Sequence, residues 1–212
     1  MAEQIFPTKG NLINTKKSLD LAKVGFELLD RKRNIIVREM MALIDRAAVI
    51  QSQIDSCYSE AYLALQSANV AHGICDDIAN SVPVENGLSL SARSVMGVEI
   101  PIVRLEAEPV ELSYGFINTS ALVDEAYIKF DRVKRLTAEL AEVENSVYRL
   151  ATAVNKTQKR ANALKNIIIP RMTSTVKYIT DSLEEKERED FSRLKVIKAQ
   201  KAKKEEKADG IS

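Results

Sequence analysis

Between Leu12 and Ile78, apolar residues return at alternating intervals of three and four. The series runs Leu12, Leu19, Ala22, Phe26, Leu29, Ile36, Met40, Leu43, Ala47, Ile50, Ile54, Cys57, Ala61, Ala64, Ala68, Ala71, Cys75 and Ile78, and only Thr15 and Arg33 interrupt it. Such spacing puts one residue per turn on a narrow face of an α-helix. Sustained over so many turns, its 3.5-residue period requires a partner helix and implies a left-handed supercoil. The helix predicted from it, ending near Asn80, would be roughly 100 Å long. Its lower part is lined by Ala61, Ala64, Ala68 and Ala71, small residues that let two helices approach closely.

A second seam begins at Val133 and continues through Leu136, Leu140, Val143, Val147, Leu150, Val154, Thr157, Ala161, Leu164 and Ile168. After Pro170 it resumes one residue late, at Met172, Val176, Ile179 and Leu183. A proline inside a helix removes a hydrogen bond and crowds the preceding turn, so the slip reads as a bend near Pro170. Asn118, Thr119 and Ser120 are candidate N-caps for this helix, with Asp124 and Glu125 favouring its positive end. At the other terminus Thr8, Gly10 and Asn11 are candidate caps after Pro7.

Helix-breaking signals gather between the two seams: Pro83, Pro101, Pro109, Gly87, Gly97 and Gly115. Val98, Ile100 and Ile102 alternate with Glu99 and Pro101, which predicts a short strand with one apolar face. Pro101 confines that strand to an edge, and a small β-hairpin is expected within 88–113. The organisation is one structural domain: a lead-in and long helix over 1–80, a connector over 81–117, a second helix over 118–207, and a fraying tail over 208–212. The fold class is all-α, a long antiparallel left-handed two-helix coiled coil with a short β-hairpin cap between the helices. Opposing Ile78 to Asn118 brings Leu12 near Glu184 and buries both seams within one chain, so no homodimer is expected.

Charge follows the same division. Asp76, Asp77, Glu85, Glu99, Glu106, Glu108, Glu111, Asp124 and Glu125 crowd the turn region 76–125, whereas Lys9, Lys16, Lys17, Lys23, Lys195, Lys198 and Lys201 crowd the opposite end. Either these are solvated faces or the two ends meet different partners. The formal net charge of +1 gives no reason to expect a nucleic-acid partner. No apolar run approaches the roughly 20 residues of a membrane span, and Met1–Asn11 lacks the apolar core of a signal peptide. No direct membrane insertion and a cytoplasmic location are therefore expected.

Catalytic patterns are missing. The glycines are isolated, with no phosphate-cradling loop, and the single His72 has no neighbouring ligands. Cys57 and Cys75 both fall on the seam and read as small buried side chains; one continuous helix would hold them roughly 27 Å apart, too far for a disulfide. Asp76 and Asp77 have no apolar pocket that would shift a pKa. The expectation is a chain without catalytic residues, cofactor or metal.

The opening FPTKGNLINTKKSLDLAKVGFELLDRKRNIIVREM (Phe6–Met40) and the closing NKTQKRANALKNIIIPRMTSTVKYITDSLEEKEREDFSRLKVIK (Asn155–Lys198) resemble the D-subunit family of V-type and archaeal-type rotary ATPases. SVMGVEIPIV (Ser94–Val103) sits where that family has its small hairpin. The resemblance implies a central rotor shaft on the cytoplasmic face of a membrane, coupling ATP turnover in catalytic A and B subunits to ring rotation and proton or sodium transport. It implies further partners: the small central-stalk F-subunit and the funnel-shaped subunit above the membrane ring. The expected catalytic-head contacts are Lys9, Leu12, Lys16, Lys17, Arg171, Lys195, Lys198 and Lys201. The expected surface for the F-subunit or for regulation is Val98, Glu99, Ile100, Pro101 and Ile102, and Pro170 is the expected shaft bend. The alternative is a stand-alone coiled-coil scaffold or tether, which would self-associate through its seam.

Overall fold

The computed structural model describes residues 6–106, 114–115 and 119–209, with side chains described as far as Lys201. In chain order the elements are α1 (Lys9–His72), α2 (Asp76–Ser81), β1 (Leu88–Val95), β2 (Val98–Leu105), α3 (Ala121–Ala163), a π-helical turn (Leu164–Ile168) and α4 (Ile169–Asp209). They form two compact units, residues 1–30 with 158–212, and residues 31–157.

Long helices form because the seams demand them, and burial follows the three-four spacing closely. Of the seam positions named for the first helix only Ala71 is exposed, and every one named for the second is buried or half-buried. Thr157, the polar member of the second seam, turns its hydroxyl to the carbonyl of Ala153 at 2.8 Å and so satisfies itself within its own helix.

Within residues 31–157, α1 and α3 run antiparallel: Cys57 and Ala61 pack on Val133, Ile50 and Ile54 on Val143, and Ile36 near Leu150. Toward the connection, Ala68 meets Val123 and Tyr114. Apart from Ile36 and Leu150, which lie ten residues off and are joined through Ile100, these meeting points fall within about two turns of those obtained by opposing Ile78 to Asn118, and Asn118 itself lies outside the described residues.

α1 stops earlier than its seam. Gly73 has a φ of +84°, a left-handed conformation that ends the helix at little steric cost, and its amide reaches the carbonyl of Asn69 at 2.9 Å. One continuous helix to Asn80 is therefore replaced by a break and the short α2. The apolar spacing survives the break because Cys75 and Ile78 still pack with Ala68 and Val123. Both cysteines are free thiols, Cys57 buried and Cys75 half-buried. Ser120 proves to be the cap of α3, its hydroxyl accepting from the amide of Leu122 at 3.3 Å.

In the unit of residues 1–30 with 158–212, Thr8 caps α1 by accepting the Asn11 amide at 3.2 Å. Leu19, Ala161 and Ile179 are its buried apolar residues among those described. The seam slip has a specific origin here. Leu164–Ile168 form a π-helical turn in which the Ile169 amide donates to the carbonyl of Leu164, five residues back. Such a turn takes up one extra residue, which is why Met172, Val176 and Ile179 stay half-buried or buried although their spacing has shifted by one. The widened turn also makes room for Pro170, whose ring would crowd the carbonyl four residues before it in a regular helix. The departure from α-helical geometry thus lies just before Pro170, in the form of a π turn.

Candidate functional site

β1 and β2 pair antiparallel from Val95↔Val98 to Leu88↔Leu105. Met96 and Gly97 form the two-residue turn, with φ of 50° and 75°. Positive φ at both central residues is the twist-matched hairpin turn, and glycine at the second position is its usual choice. Ladder alternation sends the backbone groups of Glu99, Pro101 and Val103 outward from β2. Pro101 sits at one of these outward positions, where its missing N–H removes no ladder bond.

That outward edge of β2 is met by α3. The Val103 amide donates to the Glu142 carboxylate at 2.7 Å, and the Arg149 guanidinium donates to the carbonyl of Glu99 at 3.2 Å. On the β1 side, Arg93 reaches Glu39 of α1 at 3.5 Å. Beneath, Ile100 is only 2% exposed and packs with fully buried Ile36 and Leu150, joined by Val95, Val98, Met40, Leu43 and Val154. The hairpin lies between α1 and α3 in chain order as a connector should, but in space it lies against both of them.

This changes the expected apolar face. Val98 and Ile100 face the chain's own core, so Ile100 has no surface to offer a partner. A period-two strand read without its neighbours cannot tell an inward apolar face from an exposed one. Ile102 and Pro101 are half-buried and Glu99 is exposed. On the opposite face of the hairpin, Leu88 and Leu90 are 47% and 70% exposed. Glu39, Glu142 and Arg149 were not among the expected site residues. Their partners lie 39 to 54 positions away in sequence, beyond any local pattern; their one sequence trace is a position beside a seam residue.

At the connector, Glu85 bridges two elements. One carboxylate oxygen accepts the Gly87 amide at 3.0 Å, and the other pairs with Lys134 of α3 at 2.7 Å. Lys134, then the Gly87 amide, hold the Glu85 carboxyl below its ordinary value; Glu85, then Asp131, raise the Lys134 ammonium. Tyr114 donates to Asp124 at 2.6 Å and stacks edge-on with Tyr127. Burial first, and the Asp124 carboxylate second, push its phenol well above the usual range, so it stays a neutral donor. Glu108, Glu111 and Pro109 lie outside the described residues.

In the other unit, Lys9 pairs with Glu187 at 2.9 Å, and that hydrogen bond raises its pKa. Leu12 is half-buried on the seam, whereas Lys16, Lys17, Arg171, Lys195, Lys198 and Lys201 are exposed. Only Lys9 is thus brought onto the acidic block. Arg188 and Arg193 pair within α4 with Glu184, Glu185 and Glu189. Arg171 precedes Glu187 by 16 residues, roughly 24 Å along α4, so it does not join the basic tail. Beyond the paired length, Phe191, Leu194 and Ile197 form an exposed apolar stripe, 71%, 64% and 50% accessible. Among the described residues no group of three His, Cys, Asp or Glu could hold a metal, and no helix is long and apolar enough to cross a membrane. Leu88 and Leu90 on the hairpin and the α4 stripe are thus exposed apolar surfaces among the described residues.

Comparison with known proteins gives those surfaces a context. The family model for the ATP synthase D-subunit matches residues 11–199. The chain is 44% identical over 201 residues to the V-type ATP synthase D-subunit of Thermotoga neapolitana, covering 94% of this chain and 99% of that one. It is 40% identical over 206 residues to the A-type ATP synthase D-subunit of Thermococcus kodakarensis, covering 94% and 96%. With the A-type ATP synthase D-subunit of Pyrococcus furiosus it shares 39% identity over 201 residues, covering 92% and 94%. A match of this length spans both seams, the hairpin and the slip at Pro170, and the chain belongs to the ATP synthase D-subunit family.

Proposed function

We propose that this chain is the central rotor shaft of a V/A-type rotary ATPase. It is a non-catalytic subunit of a peripheral complex on the cytoplasmic face of a membrane. It couples ATP hydrolysis or synthesis in a hexamer of A and B subunits to rotation of the membrane ring and to proton or sodium transport, with no cofactor of its own. The observation that carries this reading is the near-full-length match to relatives named as the D-subunit of V-type and A-type ATP synthases. The seams support it physically. A shaft must resist sliding and splaying of its helices, and close-packed cores yield only in discrete steps.

The basic end of the chain, Lys9, Leu12, Lys16, Lys17, Arg171, Lys195, Lys198 and Lys201, turns against the inner faces of the A and B subunits in this reading. The small F-subunit meets the outward part of the hairpin, Glu99 and Pro101 beside Leu88 and Leu90. The funnel-shaped subunit above the ring takes the connector end. The π turn beside Pro170 gives the shaft an asymmetric section.

Purification of the tagged chain from its native cell tests the reading. Recovery of A, B and F subunits is expected, in amounts that fall as salt rises because exposed lysines are screened. Recovery of the chain alone as a self-associated dimer would instead establish the scaffold alternative.

A further inference from the structure

Coiled-coil pairs commonly fix their axial register with a polar residue buried in the seam and matched across the interface. From Ile36 to Ala68 every seam position of α1 is apolar, so that stretch holds no such residue. Thr157 bonds within its own helix, and the Arg46–Glu139 ion pair is about half exposed on both sides. Much of the intervening seam is small, with Ala47, Ala61, Ala64 and Ala68 on α1. Small, repetitive seam residues discriminate poorly between registers one heptad apart, a shift of roughly 10 Å. The connection fixes the pair near Ala68 and Val123. Ile36 lies 32 residues further along α1, roughly 48 Å away.

We propose that the β-hairpin is a strap that fixes the register of α1 against α3 at this far end. Ile100 packs in one buried cluster with Ile36 of α1 and Leu150 of α3, and so joins both helices. Each strand is then fastened to a different helix: β1 to α1 through Arg93 and Glu39, and β2 to α3 through Val103–Glu142 and Glu99–Arg149. The α3 fasteners lie two turns apart on the helix and grip backbone groups four residues apart on β2. A one-heptad slip of α3 would bring one fastener to the other's partner, setting Glu142 against the Glu99 carbonyl or Arg149 against the Val103 amide, where neither can bond, while Arg93 stayed with α1. Pro101 supports the same geometry, because the outward position between the two fastened residues carries no donor to leave unsatisfied. This device stands whether or not the chain turns as a shaft.

The test uses the full chain with Cys57→Ala and Cys75→Ala, spin-labelled at the exposed positions Asp45 and Glu144. The parent should give one narrow distance distribution. Replacing residues 88–105 by a flexible linker should broaden it or add a component displaced by a heptad, with helical content kept. Glu142→Leu with Arg149→Leu should broaden it in the same sense, and Glu142→Gln, which keeps an acceptor for the Val103 amide, should restore the narrow form. A narrow, parent-like distribution in the hairpin-less chain overturns the proposal. If that chain fails to fold, the double variant decides: a parent-like distribution together with fast exchange of the Val103 amide overturns it equally.

Discussion

Residues 31–157 and the unit of residues 1–30 with 158–212 carry the same three-four seam, yet they bury it to different depths. In the first, four apolar clusters follow one another from Ile36–Ile100–Leu150 to Ala68–Tyr114–Val123. The hairpin adds a third layer over one end. In the second, Leu19, Ala161 and Ile179 are buried among the described residues, and every residue of α4 from Glu184 to Lys201 is exposed. Its pairing tolerates Gly25, whose Cα faces Leu164 across the start of the π turn. Apolar spacing decides that a helix will pair, and the neighbours it gains in space decide how tightly. The second unit leaves Phe191, Leu194 and Ile197 exposed, and in the shaft proposal that stripe meets the surrounding subunits.

Single-residue deletions should separate the two regions most widely. Deleting Asn145 in α3 turns every later seam residue of residues 31–157 by about 100° off its face. A loss of more than about 4 kcal/mol, or failure to fold, is expected. Deleting Asn166 together with Pro170→Ala, so that no proline ring crowds the regular helix, removes the extra residue of the π turn and returns it to α geometry with Met172, Val176 and Ile179 still on the seam. Urea unfolding should place that variant within about 1 kcal/mol of the parent. Equal damage from both deletions would mean the π turn is not the origin of the slip.

Truncation of buried side chains comes next in size. Leu150 is fully buried beneath Ile100, and Leu150→Ala should cost about 3 kcal/mol because the hairpin and both helices hold the cavity open. Leu19 is 8% exposed with fewer walls around it, and Leu19→Ala should cost about 2 kcal/mol. Denaturant midpoints with matched slopes decide whether the order holds.

Much of this was legible in the sequence. Both seams predicted their buried positions almost residue by residue, because a helix places side chains by spacing alone. The slip at Pro170 was visible as well, although a one-residue slip is the mark of a π turn and the proline drew attention to itself. Gly73 was missed because Cys75 and Ile78 keep the spacing going across the break and disguise it. The hairpin was legible in Val98, Ile100 and Ile102, but its docking was not. Nothing local to Ile100 tells of Ile36 or Leu150, and Glu142 and Arg149 act on backbone groups that carry no side-chain signature.

Glycine substitutions should differ in sign between the units. Gly97 turns the hairpin at a φ of +75°, and a Cβ there would meet only Lys32 Nζ at 4.0 Å. The cost of Gly97→Ala is therefore conformational, about 1 kcal/mol. Gly25 lies inside α1 with ordinary helical backbone, and a Cβ there would rest at 4.0 Å from Leu164 Cδ1, an ordinary contact. Gly25→Ala should stabilise by about 0.5 to 1 kcal/mol through helix propensity and a less flexible unfolded chain. Destabilisation by Gly25→Ala would show that the π turn needs more room opposite it than the structure gives.

The smallest effects belong to the ion pairs, and they sharpen the comparison at the surface. Glu85–Lys134 ties the connector to α3 with side chains 28% and 42% exposed, whereas Lys9–Glu187 joins α1 to α4 at 78% and 64%. Lys134 depresses the Glu85 pKa below its ordinary 4.5, so this carboxylate's contribution is complete above 4.5 and is lost as pH falls through the lowered folded value. Lys134 and Lys9 are both raised above 10.5, so theirs is complete below 10.5 and is lost as pH rises through the raised folded value. The Gly87 amide, which donates to Glu85, reports the acid limb directly. Its NMR shift should titrate with a midpoint below 4.5, and added salt should move that midpoint little. The Lys9 ammonium nitrogen should titrate above 10.5 in dilute buffer and fall back toward 10.5 as salt screens its more exposed partner. A Gly87 midpoint at 4.5 would mean that Lys134 does not hold Glu85 in solution, and that the connector is no better fastened than the exposed end of α4.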